Sequence, residues 1–153
     1  MTERAPYVAV VGGSEPTAEQ DRAAEQVGSG LASAGAIVIT GGRGGVMAAA
    51  SRGAQTAGGV VVGLLPGTAR AEANEWVTVA LPTGLGELRN GLIVRSADVV
   101  VAVGGAYGTL SEIALALAAG VPVLGLGSWP IDGIEPVTSP SQAVTRALEL
   151  ARG

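Results

Sequence analysis

Gly104-Gly105-Ala106-Tyr107-Gly108-Thr109 is a small-residue turn between an apolar run and a helical pattern. Such a turn lets the backbone approach a ligand closely, and the first free N–H groups of the following helix then point at an anion. The Thr109 hydroxyl adds one more hydrogen-bonding group, and Glu112 sits one turn further on, placed for ribose hydroxyls or for positive charge developing on a sugar ring. The competing reading is an ordinary βα turn in which Thr109 caps the helix and Glu112 closes a capping box. Two more glycine clusters follow apolar runs: Gly12-Gly13-Ser14, and Gly41-Gly42-Arg43-Gly44-Gly45, where Arg43 is an anion contact or the glycines serve only close packing. None of the three spells a strict G-x-G-x-x-G, which argues against an ordinary dinucleotide site.

Arg89 is the other chemically informative residue. At 3.6 residues per turn it falls on the arc that carries Leu85, Leu88, Leu92 and Ile93, not on a polar side. A guanidinium keeps its charge, so near a core it needs an anionic partner: a ligand phosphate, Glu112 or Glu87. The alternative is a stem that covers apolar surface while its head reaches water. Trp76 and Trp129 flank loops, where packing at the core or rim is the better reading and a base or subunit contact the other.

What is missing narrows the chemistry. The chain has no cysteine, histidine or lysine. That removes thiolate and imidazole catalysis, ordinary transition-metal sites, Schiff-base chemistry and the phosphate-clamping lysine of a Walker A loop. Carboxylates, arginines, hydroxyls and backbone amides remain, so no metal site is expected and no cofactor is required. A bound nucleotide, phosphate or sulfate is what such groups can hold. A net charge of −4 gives no basic face for nucleic acid.

These residues need a frame, and the sequence alternates strand and helix to supply one. Apolar runs at Tyr7–Val11, Ala36–Thr40, Val60–Leu65, Trp76–Leu81, Asp98–Val103 and Pro122–Leu126 read as strands. Helical spacing follows Thr17 (a capping box with Gln20), runs from Gly45 to about Ala57, spans Gly84–Ser96, resumes after Gly104–Thr109, and ends the chain from Ser139-Pro140 to about Arg152. With 153 residues, nearly half of them hydrophobic, this predicts a single α/β domain of Rossmann-like type. The expected architecture is three-layered (α/β/α), with a mostly parallel central sheet. Ligands of such sheets bind at the carboxyl ends of the strands, near a switch point. No apolar run reaches the length of a membrane span, and Met1-Thr2-Glu3-Arg4 has no leader-like pattern, so a cytoplasmic protein with no membrane partner is expected.

Taken together, these segments resemble the Lonely-guy superfamily, many members of which were once labelled possible lysine decarboxylases. Its hallmark is P-G-G-x-G-T-x-x-E after a buried strand, with an upstream G-x-M and an arginine on the intervening helix. Here Gly104 stands at the proline, Gly105 and Ala106 at the two glycines, and Tyr107, Gly108, Thr109 and Glu112 match. Gly45-Val46-Met47 matches the upstream segment, and Arg89 has the family arginine's spacing from Ser96-Ala97-Asp98. The stretch Pro82–Asn90 is similar to a branch of small bacterial proteins and molybdenum-cofactor carrier proteins, and Asn90 stands where the hydrolases usually carry lysine.

The resemblance covers nearly the whole chain. It implies a homodimer or homotetramer that binds a small phosphorylated ligand, a nucleoside monophosphate or a pterin phosphate. Gly105, Gly108 and Thr109 would hold the phosphate, while Arg89 and Glu112 would be the catalytic pair. Two functions stay open: a nucleoside 5′-monophosphate phosphoribohydrolase that cleaves the N-glycosidic bond, or a non-catalytic carrier or sensor. Lysine decarboxylation is excluded on chemistry, since no lysine can anchor pyridoxal phosphate.

Overall fold

A computed structural model describes residues 4–153; Met1, Thr2 and Glu3, part of the leader reading above, lie outside the described residues. Seven strands form one sheet: β1 (Tyr7–Gly12), β2 (Ile37–Thr40), β3 (Val61–Leu65), β4 (Val79–Pro82), β5 (Val99–Val103), β6 (Val123–Leu126) and β7 (Ile134–Val137). Among the described residues five α-helices accompany them, four between strands and the last after β7: α1 (Ala18–Ser33), α2 (Val46–Thr56), α3 (Arg89–Arg95), α4 (Tyr107–Ala118) and α5 (Pro140–Arg152). The strand order is β4-β3-β2-β1-β5-β6-β7, and every neighbouring pair is parallel. The sheet is thus wholly parallel, not mostly so, and Rossmann-like. The winding reverses between β1 and β5, which makes their carboxyl ends the switch point.

Side chains alternate across the sheet and divide the core in two. Val8, Val10, Val38, Val99 and Val101 face α1, α2 and α5 through Ala24, Val27, Leu31, Ala50 and Ala147. Ala9, Val11, Ile39, Val100 and Ala102 face α3 and α4 through Ile93, Val94, Ile113 and Ala116. β5 is buried along its whole length, as the β-branched run at 99–103 requires of a strand covered on both faces.

Three expectations need correcting. β7 has no apolar run to announce it, since Glu135 and Pro136 occupy its middle. Proline is tolerated there because β7 is an edge strand, paired only with β6. The fourth strand begins at Val79, not Trp76, because the Asn74 side chain accepts from the Trp76 N–H and holds that segment in a turn. The helix expected over Gly84–Ser96 begins only at Arg89: Gly84 and Gly86 adopt φ of +67° and +59°, and residues 86–88 form a single 3₁₀ turn. Leu85, Leu88 and Leu92 consequently stay exposed, and Ile93 and Val94 face the sheet instead.

Candidate functional site

The carboxyl ends of β1 and β5 open into a cleft of about 560 Å³. Its floor is the switch point, where Gly13 comes within 4.0 Å of Gly105 and Ala106 once a Cβ is built on it. On one side stands the N-terminus of α4. Ala106 is its N-cap residue, with no side-chain cap, so the amides of Tyr107, Gly108 and Thr109 find no acceptor within the helix. Ala106, Tyr107, Gly108, Thr109, Ser111 and Glu112 all line the cleft.

This start position removes the capping-box reading of Thr109 and Glu112. Thr109 is the third residue of α4, already inside its first turn, and Glu112 is the sixth. Neither is where a box would place it, and both are buried polar residues on the cleft wall. Gly104 and Gly105 set the loop with φ of +57° and +123°. A proline cannot take the Gly104 conformation, so the loop follows a path that the proline at this position in the family hallmark does not permit. Ala106, at φ −116°, has ordinary extended backbone that carries its methyl group without strain. The loop is braced from the segment after β6: Ser128 Oγ donates to Gly104 O (2.6 Å), and Trp129 Nε1 donates to Ala106 O (3.2 Å).

Arg89 lines the same cleft. Its Nη1 donates to the carbonyls of Gly41 (2.6 Å) and Leu64 (2.5 Å), at the ends of β2 and β3, and its Nε donates to Asn90 Oδ1 (3.0 Å). The guanidinium lies so close to Gly41 that a Cβ there would come within 2.6 Å of Nη1. The Met47 sulfur would lie as close, at 2.5 Å, so glycine at 41 leaves room for both side-chain ends. Among the described residues Arg89 forms no ion pair, so neither Glu112 nor Glu87 is its contact partner. Two strand-end carbonyls take the place expected for a carboxylate, and Nη2 is left outside these bonds. Burial lowers the Arg89 pKa from the ordinary arginine value; Glu112 opposes this and Arg43 adds to it. Burial also lifts the Glu112 carboxyl to about 7, with the Arg89 charge pulling the other way. The cleft therefore joins an uncapped helix terminus, a fixed guanidinium and a carboxyl that is half ionised near neutrality.

The residues expected at the site divide as follows. Gly12, Gly13, Ser14, Arg43, Arg89 and the segment 106–109 with Glu112 line the cleft. Gly105 shapes the loop from a shallow neighbouring recess. Gly41 acts through its carbonyl on Arg89, and Gly42 packs against Leu65 with its N–H bonded to Thr40 Oγ1, outside the cleft. Met47, Pro66, Glu87 and Asn90 also line it, and Ser128 and Trp129 hold its loop. The signal for the last two was their place: Ser128 and Trp129 follow a strand that neighbours β5, so they end beside the loop that follows β5.

Fold and site together define a Rossmann-like α/β protein with a ligand cleft at the switch point of a parallel sheet. The SLOG cluster4 family model matches residues 5–151, and the chain belongs to that family. It is 40% identical over 138 residues to an uncharacterised protein of Archaeoglobus fulgidus, covering 90% of this chain and 91% of the other. Among solved structures it is similar to the molybdenum cofactor binding protein of Rippkaea orientalis: TM-score 0.92, 34% identity, covering 97% of this chain and 99% of that one. It is also similar to the molybdenum cofactor carrier protein of Chlamydomonas reinhardtii, with TM-score 0.88 and 34% identity over 98% of this chain and 100% of that one.

Proposed function

We propose that this chain binds a small phosphorylated heterocycle in the cleft and carries it unchanged, the ligand being a pterin phosphate or a nucleoside monophosphate. The observation that carries this reading is the uncapped N-terminus of α4 lining one cleft together with Arg89 and Arg43. Free amides and a helix dipole favour an anion, and two guanidinium groups in the same cleft complement it. Arg89 is held by main-chain carbonyls, so it meets a phosphate already oriented. The likeness to two proteins described as binding or carrying molybdenum cofactor supports a carrier and points to the pterin phosphate class.

A second reading, hydrolysis of an N-glycosidic bond, is favoured by Glu112. A carboxyl whose pKa burial has lifted to about 7 is suited to proton transfer at neutral pH, and it stands in the same cleft as Arg89. Incubation with AMP and GMP separates the two. A carrier raises its melting temperature and releases no base; free base and ribose 5-phosphate above the level of an Arg89→Ala, Glu112→Ala control overturn the carrier reading. No thermal shift with any phosphorylated ligand, together with no ligand in native mass spectra, overturns both. A homodimer or homotetramer is part of this proposal, supported by the exposed leucines 85, 88, 92 and 115 on α3, α4 and the turn before α3.

A further inference from the structure

Tyr107 is 82% exposed, the most exposed large hydrophobic residue among the described residues. Its ring stacks on Trp129 with centroids 6.2 Å apart and planes 28° from parallel. Trp129 is itself fixed, because its indole N–H donates to Ala106 O on the loop that carries Tyr107. Its neighbour Ser128 ties down Gly104 at the other end of that loop. Tyr107 lines the cleft, and Trp129, in the neighbouring recess with Gly104 and Gly105, backs its ring. Packing does not explain this, because a ring so exposed buries little of its own surface.

We propose that the Tyr107 ring, backed by Trp129, is the platform on which the planar heterocycle of the ligand stacks. This rests on the phosphate reading above and adds which residue distinguishes a heterocyclic ligand from a bare sugar phosphate. One residue serves both ends of the ligand: the Tyr107 amide belongs to the uncapped turn that faces the phosphate, and its side chain offers an aromatic face beside it. Offset stacking between aromatic rings is favourable and tolerant of ring identity, because every flat heterocycle presents a π-face. The platform therefore selects for a fused-ring heterocycle as a class and leaves its identity to polar groups such as Glu112. Pre-set by Trp129, the ring gives up little freedom when the ligand arrives.

The test uses the Trp76→Phe protein, in which Trp129 is the sole tryptophan, and three probes: GMP, AMP and ribose 5-phosphate. Affinities are measured by calorimetry and Trp129 emission is followed alongside. Expected are GMP and AMP binding at least about tenfold tighter than ribose 5-phosphate, with Trp129 emission changing only for the nucleotides. Adding Tyr107→Ala should bring the three affinities within about twofold of one another and leave ribose 5-phosphate binding unchanged, while Tyr107→Phe should retain the preference. A nucleotide preference that survives Tyr107→Ala overturns the platform and leaves the phosphate reading standing. Failure of all three probes to bind the parent protein overturns the platform and the nucleoside-monophosphate form of the phosphate reading.

Discussion

Replacing Glu112 with glutamine should make the protein more stable at alkaline pH and leave it nearly unchanged at acid pH. Glu112 is 8% exposed, and burial lifts its carboxyl from 4.5 to about 7. Between those values the folded protein keeps a proton that the unfolded chain has released. The folded state then binds more protons, so stability falls as pH rises through this window and levels off above the folded pKa. The gap corresponds to about 3 kcal/mol, fully expressed above about pH 8. Glutamine fills nearly the same volume, stays neutral and removes this dependence. Other carboxyl groups add pH terms of their own, but they are common to both proteins and cancel in the difference between them. Urea denaturation of both proteins at about pH 5 and about pH 8.5 should give a change in their stability difference of about 2.5 kcal/mol, in favour of the glutamine variant at the higher pH. An equal difference at both pH values, or a glutamine variant less stable at the higher one, would refute the placement of Glu112 as a buried, strained carboxyl. A natural sequence that keeps such a group gives up stability where the site uses it.

Three further outcomes follow from the same geometry. Arg89→Met removes the guanidinium bonded to Gly41 O and Leu64 O, and GMP affinity by calorimetry should fall at least about tenfold; affinity within twofold of the parent would contradict its role at the anion. Gly104→Pro restores the residue of the Lonely-guy hallmark and should nevertheless destabilise by about 3 kcal/mol or more. Its φ of +57° is closed to proline, and its N–H donates to Leu126 O. Gly104→Ala should cost about 1–2 kcal/mol from its φ, besides displacing the Gln20 side chain that a Cβ there would meet, and urea denaturation that ranks proline as the milder change would contradict the loop path. Leu88→Glu, at a position 79% exposed, should leave the fold intact and shift the light-scattering mass from oligomer to monomer; an unchanged mass would place the contact elsewhere.

The sequence revealed most where local chemistry and global fold agree. The run Val99–Val103 could only be a strand covered on both faces, and Thr17 with Gln20 forms the reciprocal capping box that their spacing demands. Three glycine-rich strand ends marked the carboxyl edge of the sheet, where the cleft lies. What stayed hidden depends on tertiary context. β7 carries a glutamate and a proline and forms only because β6 offers it an edge. The leucines at 85, 88 and 92 have helical spacing, yet the positive φ of Gly84 and Gly86 delays the helix and turns that stripe outward. Arg89 was singled out because a buried charge needs a partner. That the partner is a pair of main-chain carbonyls has no sequence signal, since any residue supplies a carbonyl. Thr109 and Glu112 show how a motif misleads by register: the box spacing is present, but α4 starts three residues too early for it.

The most direct test of the account is which amides feel a ligand. With ¹⁵N-labelled protein titrated with GMP to saturation, the account predicts that the largest amide shifts fall on Tyr107, Gly108 and Thr109, accompanied by the Nε–H of Arg89. Unmoved signals at all three positions would contradict it, as would shifts centred instead on Thr17, Gln20 and Thr138, which line a separate cleft between α1 and the start of α5.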